Sequence, residues 1–133
     1  MTLPISVTLS APQGYPSTNV RINFKNESPN KCYEITRHSL MENNIPGDNF
    51  QITNQKTNEE AVYTGPTIKR QQSYTPIRPG EVKTVDVQLS QLYQIPKGIN
   101  GVTYVTSVEY RACDNHVVED TLYIESNSIS IEV

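Results

Sequence analysis

Hydrophobic and polar residues alternate along most of the chain with the period of two that is typical of β-strands. Successive side chains of a strand point to opposite faces, so one face of each predicted strand is apolar. Turn signals made of Gly, Pro, Asn and Asp separate the alternating runs. The predicted inward-facing residues are Ile5, Val7, Leu9, Val20, Ile22, Phe24, Tyr33, Ile35, Phe50, Ile52, Val85, Val87, Leu89, Val102, Tyr104, Val108, Tyr110, Leu122, Ile124, Ile129, Ile131 and Val133. With a brief run at 61–63, the pattern predicts seven to nine short strands.

The only helical candidate is the segment 90–94, where Ser90 is suited to cap one turn and Pro96 to end it. A sheet that has no helices to cover it must bury one face against another sheet. We therefore predict an all-β fold, a single-domain antiparallel β-sandwich of the immunoglobulin-like kind, over residues 1–133.

Composition supports strands and limits the core. Val, Ile and Thr together number 37 of the 133 residues, whereas Ala and Leu number 9, and this balance favours pleated strands over helices. Hydrophobic residues make up 35%, which predicts a thin core, with the many Asn, Thr, Gln and Ser residues on outer faces and in loops. The chain has eight Tyr and no Trp, and Tyr33, Tyr104 and Tyr110 fall on inward positions.

Charge and the lengths of the apolar runs argue against two classes of partner. Eleven Lys and Arg residues against fourteen Asp and Glu give a net charge of −3 without a block of like charges, so we expect no nucleic-acid partner. No apolar run reaches the ~20 residues of a membrane helix, and we expect no membrane partner. The N-terminus lacks the basic start and apolar stretch of a secretory signal, which predicts a cytoplasmic protein or the mature form of a secreted one.

Motifs for catalysis or cofactor binding are absent from the sequence. The histidines are His38 and His116, and there is no His-Glu-x-x-His motif, nucleophile elbow or phosphate-binding loop. Cys113 and His116 lie close in sequence, but a thiol–imidazole pair there would still need an oxyanion site and an orienting group. The two cysteines and two histidines include the ligand types of a zinc site, but their spacing matches no known zinc pattern. We expect no enzyme, no cofactor and no metal.

The two cysteines leave two alternatives open. Cys32 opens the third predicted strand and Cys113 ends the longest one, and such strands are commonly neighbours in a sandwich. A disulfide there would close a long loop and stabilise the fold by ~4–5 kcal/mol in the chain-entropy estimate. Two buried thiols fit the sequence about as well.

Several segments in order resemble a known domain. Residues 45–52, 62–70, 74–81, 85–90 and 101–104, with Tyr93 and residues 125–129, are similar to the non-catalytic N-terminal domain of deuterolysin-like peptidyl-Lys metalloendopeptidases. In that family the segment precedes a zinc-dependent protease domain, so the resemblance implies a pro-segment-like β-sandwich that contacts, masks or helps to fold a protease. The protease domain is missing from this chain, and residues 111–120 look like an inserted hairpin.

The resemblance implies a non-enzymatic protein-binding sandwich, most concretely a protease inhibitor or regulator that acts as a monomer on a protease partner. Loops carry recognition on rigid sandwiches. The candidate loop residues are Thr64, Gly65, Pro66, Lys69, Arg70, Asp114, Asn115 and His116. Lys69 and Arg70 are suited to a protease subsite.

Two other functions remain open from the residues. A carbohydrate-binding module or lectin would use exposed Tyr rings to stack on sugars. A structural assembly protein would pair through a sheet edge.

Overall fold

The computed structural model describes residues 4–11, 18–41, 46–66 and 73–133. Within these ranges the chain forms ten strands, one single-turn α-helix and one 3₁₀ helix. The elements are β1 (Ile5–Ser10), β2 (Asn19–Asn26), β3 (Tyr33–Thr36), α1 (Arg37–Leu40), β4 (Phe50–Asn54), β5 (Val62–Tyr63), β6 (Tyr74–Ile77), β7 (Val82–Gln88), the 3₁₀ helix (Leu89–Gln91), β8 (Tyr93–Gln94), β9 (Ile99–Ala112) and β10 (Val118–Glu132).

The predicted strand count and lengths were wrong in two respects. Two strands were not predicted: β6 contains Pro76, a residue that removes a backbone donor, and β8 has two residues. Strands β9 and β10 have 14 and 15 residues, respectively, rather than being short. In place of the helical turn predicted at 90–94, the structure has a 3₁₀ helix at Leu89–Gln91. The helix α1 was not predicted.

All the strand pairs are antiparallel, and they form two main sheets and one small one. Sheet A has the order β1-β2-β7. Sheet B has the order β10-β9-β3-β6, and β4 also pairs with β9. Because β10 follows one edge of β9, strands β3 and β4 lie end to end along the other edge, β3 near Ala112 and β4 near Tyr104. The small sheet, β5-β8, joins β4 through the bridge between Thr53 and Glu60.

The core lies between sheets A and B, and the chain is an all-β, immunoglobulin-like antiparallel sandwich. Most of the core agrees with the alternation of hydrophobic residues in the sequence. The predicted inward residues are buried, except for Val85 and Ile129, which are partly buried, and Val133. The prediction that Val133 faces inward was wrong. Val133 pairs with Gly98 beyond the last layer of the core and is 47% exposed. Four buried hydrophobic residues of the described ranges were missed: Leu40, Met41, Ile77 and Tyr93.

A β-bulge in β10 closes one side of the sandwich. Glu125 pairs with Val105 and Ser128 with Thr103, so two residues of β10 lie opposite Tyr104 alone. One of them, Ser126, accepts a hydrogen bond from the Tyr104 N–H at 2.9 Å. The other, Asn127, reaches across to sheet A. Its Oδ1 accepts from the N–H of Leu9 at 2.7 Å and its Nδ2 donates to the Leu9 carbonyl at 3.1 Å.

Candidate partner-binding loops

The 113–117 loop joins β9 to β10 and is tied to β3 by a disulfide. Cys32 and Cys113 are bonded through their sulfur atoms, with Cα atoms 5.5 Å apart, and the N–H of Cys113 donates to the carbonyl of Cys32 at 3.1 Å. Both sulfur atoms are committed to this bond. The thiol–imidazole pair and the zinc site considered from the sequence therefore have no thiolate to use.

An ion-pair network on the outer face of sheet B holds the same loop. Glu34 on β3 accepts from the Nε of Arg111 at 3.0 Å, and the Nδ1 of His116 lies 3.1 Å from the same carboxylate oxygen. The Arg111 guanidinium also contacts the ring of Tyr74, with its central carbon 3.8 Å from the ring centroid. Because the Glu34 and Arg111 side chains are 13% and 23% exposed, water screens this pair less than a surface pair.

Asp114, Asn115 and His116 are therefore presented on a fastened hairpin. All three are exposed, and the backbone of His116 has a φ of 55°, in the left-handed region that few residues other than Gly adopt. Beside the disulfide, residues 30–32 and 112–115 line an open cavity with a volume of about 570 Å³. The sequence placed these loop residues correctly in a turn, but the partner of His116, Glu34, is 82 residues away along the chain.

The 64–66 loop follows β5 and is anchored on the neighbouring strand. The N–H groups of Thr64 and Gly65 both donate to the carbonyl of Leu92, at 2.8 and 3.1 Å. The hydroxyl of Tyr63 donates to the carbonyl of Pro66 at 2.7 Å. Gly65 lies directly beneath that ring, since a Cβ atom at this position would be 2.8 Å from the Tyr63 hydroxyl oxygen. Thr64 and Pro66 remain exposed.

A row of aromatic contacts connects this loop to the core. The row runs from Tyr63 to Tyr93, then Phe50, Tyr104 and Phe24, with successive ring centroids 5.4 to 6.3 Å apart in edge-to-face arrangements. Along this row Tyr93 also donates its hydroxyl to Asp48 at 2.6 Å and accepts from the N–H of Phe50 at 3.1 Å. Burial and the hydrogen bond to Asp48 raise the pKa of Tyr93. Burial and the charge of Asp48 raise the pKa of Tyr63.

The two candidate loops lie on separate surfaces. The 64–66 loop is linked through Tyr93 and Phe50 to Tyr104 of β9, whereas the 113–117 loop follows Ala112. These two β9 residues are eight positions apart, which is about 26 Å along a strand. Within the described residues, no hydrogen bond or ion pair joins the two loops. Lys69 and Arg70 lie outside the described residues.

The groups that fasten both loops were not predicted from the sequence. The Tyr63 hydroxyl and the Leu92 backbone carbonyl anchor the 64–66 loop, and the Glu34 and Arg111 side chains anchor the 113–117 loop. The one available signal was the strict alternation of β3 and β9, which places Glu34 and Arg111 on outward faces. Their pairing required the register between two strands that are far apart in sequence.

In the described part of the chain, no group of three or more His, Cys, Asp or Glu side chains is arranged to hold a metal ion. The same residues contain no helix with the length and apolar character needed to span a membrane.

No protein-family model and no curated protein matches the sequence. Among solved structures, the chain is similar to the ASH/PapD-like domain of human CEP192 (PapD-like domain 7), with a TM-score of 0.41 and 10% sequence identity. The alignment covers 99% of this chain and 88% of that chain. At this similarity the likeness supports no statement on function.

Proposed function

We propose that this protein is a non-enzymatic protein-binding β-sandwich that regulates a protease through its surface loops. The observation that carries the proposal is the anchoring of the 64–66 loop. It is exposed at Thr64 and Pro66 and yet held by backbone hydrogen bonds, by the Tyr63 hydroxyl and by close packing over Gly65.

A loop that is already ordered loses little conformational entropy when it binds. The aromatic row packs Tyr63, next to the 64–66 loop, against rings that reach into the core. The sequence then continues to Lys69 and Arg70. Two adjacent cations that begin three positions after Pro66 are suited to the acidic or carbonyl-lined subsites of a protease. The 113–117 loop, fastened by the disulfide and by Glu34, supplies a second, separate contact surface.

The resemblance to the N-terminal domain of deuterolysin-like metalloendopeptidases supports the choice of a protease as the partner. A surface shaped to contact a protease domain needs no chemistry of its own to block or stabilise one.

The test is to incubate the purified protein with a panel of metallo-, serine and cysteine proteases that includes a deuterolysin-like catalytic domain. We expect the protein to slow substrate cleavage by at least one of them, or to raise the yield of active enzyme when that domain is refolded in its presence. Unaltered activity and unaltered refolding across the panel would refute protease regulation.

Paired variants identify the loop that acts. The double variant Lys69→Ala/Arg70→Ala should abolish the effect, whereas Thr84→Val, on the outer face of sheet A, should leave it unchanged. Asp114→Ala/Asn115→Ala tests the 113–117 loop in the same assay. An effect that survives in both loop variants would contradict binding through these loops.

A further inference from the structure

A polar groove lies on the outer face of sheet B, and none of its lining residues belongs to either candidate loop. Strands β4, β9 and β10 run side by side there, and their registers place residues in two rows across the sheet. One row is Thr53, Gly101 and Ser130, and the next is Gln51, Thr103 and Ser128. All of these except Ser130, together with Asn54, Gln55 and Asn58, line an open cavity of about 340 Å³.

Gly101 makes the groove, because it stands at the centre of its row without a side chain. A Cβ atom built there would have its nearest neighbours at 3.8 Å, the Gln55 amide nitrogen, and 3.9 Å, the Thr53 carbonyl. The space above it is therefore open. Gln55 borders this space by donating its amide to the Ser130 hydroxyl at 3.0 Å.

The lining of the groove is uncharged and rich in hydrogen-bonding groups. Its residues are Gln51, Thr53, Asn54, Gln55, Asn58, Gly101, Thr103 and Ser128. The side chains of Gln51, Thr53 and Asn58 form no hydrogen bond with the described part of the chain, and Gln51 and Asn58 are exposed. These groups remain available to a ligand.

This chemistry selects one class of ligand. A lining without charge gives a phosphate no charge-assisted hydrogen bond and gives a cation no carboxylate, and the buried centre of a protein interface is more apolar than this surface. An amide offers two donors and an acceptor with two lone pairs, and a hydroxyl is both donor and acceptor. Such groups match the dense hydroxyls of a sugar, and concave sites commonly fix a ligand with a few placed polar groups.

An exposed aromatic ring lies further along the same face. Tyr123 pairs with Ser107, and its side chain is 64% exposed. From Thr103 to Ser107 is four residues along β9, about 13 Å. Tyr33, Tyr104 and Tyr110 are buried, as their inward positions predicted, and Tyr93 is buried as well, so none of these four rings is exposed to stack on a sugar. The structure instead combines an amide groove with one ring, and the apolar C–H face of a sugar packs on such a ring.

We propose that the groove around Gly101 binds a neutral oligosaccharide, with its hydroxyls on Gln51, Thr53 and Asn58 and one end of the chain reaching toward Tyr123. This site is independent of the protease contact proposed above, because its lining includes no residue of either candidate loop.

The experiment screens the protein on an array of neutral and acidic glycans and then measures affinity by titration calorimetry. The probes are cellotriose, chitotriose, maltotriose and mannotriose, with tri-galacturonate as the charged comparison. We expect at least one neutral trisaccharide to bind and tri-galacturonate not to bind. If none of the neutral probes binds, or if only the charged one does, the proposal is wrong.

Substitutions then locate the site. Gly101→Val fills the groove with a residue suited to a strand, and should abolish binding without lowering the melting temperature. Gln51→Ala removes one amide and should weaken binding about fivefold to tenfold, the worth of one net hydrogen bond. If Gly101→Val does not fold, Gln51→Ala decides the matter. Tyr123→Ala should weaken trisaccharide binding more than monosaccharide binding.

The matched control is Thr84→Val, on the outer face of sheet A, which should bind sugar as the wild type does. Binding that is equal in the wild type, Gly101→Val and Gln51→Ala would overturn the assignment. The protease assay is run on the same variants. Loss of sugar binding with an unchanged effect on proteases, or the reverse, separates this inference from the proposed function.

Discussion

At the scale of single residues, buried asparagines do much of the linking between strand ends. The Nδ2 of Asn26 donates to the carbonyls of Lys31 and Ile77, both at 2.8 Å. Asn54 accepts from two backbone N–H groups that follow it in its own turn, and donates to the Lys97 carbonyl. Both asparagines are almost fully buried. The expectation that Asn belongs to outer faces and loops was therefore wrong for these positions.

Tyr104 is a second residue whose polar group is buried. Its hydroxyl donates to the Ser39 carbonyl, and burial raises its pKa, as burial also does for Tyr93. A raised pKa in the folded state means that the unfolded state loses its phenolic proton first as the pH rises. The free energy of unfolding should then fall above about pH 10, by about 1.4 kcal/mol per pH unit for each such tyrosine.

Urea unfolding at a series of values between about pH 8 and pH 11 measures this slope. Tyr104→Phe should reduce it by about 1.4 kcal/mol per pH unit. At neutral pH the same variant should be less stable by about 1–3 kcal/mol, because the Ser39 carbonyl is left without its partner. An unchanged alkaline slope in the variant would contradict this account.

Gly65 is the residue that should least tolerate a side chain. In Gly65→Ala the new Cβ would lie 2.8 Å from the Tyr63 hydroxyl oxygen and 3.0 Å from Cδ2 of Leu92. We expect a loss of about 1–3 kcal/mol in the free energy of unfolding, the usual cost of overpacking. Gly101→Ala is the matched control, since its Cβ meets nothing closer than 3.8 Å. Equal stability of the two variants in urea would show that the loop is not held as described.

At the scale of elements, the β10 bulge couples the two sheets. Without the extra residue, alternation would place Asn127 in the ladder with β9. Because of the bulge, the Asn127 side chain instead forms hydrogen bonds with the N–H and the carbonyl of Leu9 on β1. A side-chain amide thus takes the place of a paired strand at the open edge of β1.

Asn127→Ala should destabilise the protein by about 1–3 kcal/mol, because it removes partners from one backbone donor and one acceptor. It should also speed hydrogen exchange at the Leu9 amide. In Asn127→Asp the carboxylate still accepts from the Leu9 N–H but cannot donate to its carbonyl, so exchange at Leu9 should stay slower than in the Ala variant. Slow exchange at Leu9 in Asn127→Ala would count against the amide link.

At the scale of the whole molecule, one row of aromatic rings and one disulfide connect distant parts of the chain. The row from Phe24 to Tyr63 crosses from sheet A through sheet B to the small sheet. The disulfide joins residues 81 positions apart at the end of β9. A cross-link over that separation removes many conformations from the unfolded chain, which stabilises the fold by about 4–5 kcal/mol in the chain-entropy model.

The double variant Cys32→Ser/Cys113→Ser should keep the fold, because β3 and β9 still pair from Tyr33 to Ile35. Its free energy of unfolding should be about 4–5 kcal/mol lower than that of the oxidised wild type. Wild type unfolded in urea with a reductant should match the variant. If the oxidised and reduced proteins unfold at the same urea concentration, the bridge does not form in solution.

Local alternation was enough to predict most of the core and the all-β class. Whether a residue such as Val20 or Val102 faces inward depends on the period of its own strand, and that period is visible in five or six consecutive residues. The prediction failed where a strand was too short to show a period, as at Tyr93, or where the chain ran past the core, as at Val133.

The candidate sites divide in the same way. The sequence by itself determined that the chain builds β-sheets, and that Thr64 to Pro66 and Cys113 to His116 lie in turns, because turn chemistry is local. Only the tertiary structure decided that Glu34 holds His116, that Asn127 closes the edge of β1, and that Thr53, Gly101 and Ser130 form one row. These arrangements depend on the register between strands brought together from distant parts of the chain, and a shift of one residue would turn each side chain to the opposite face.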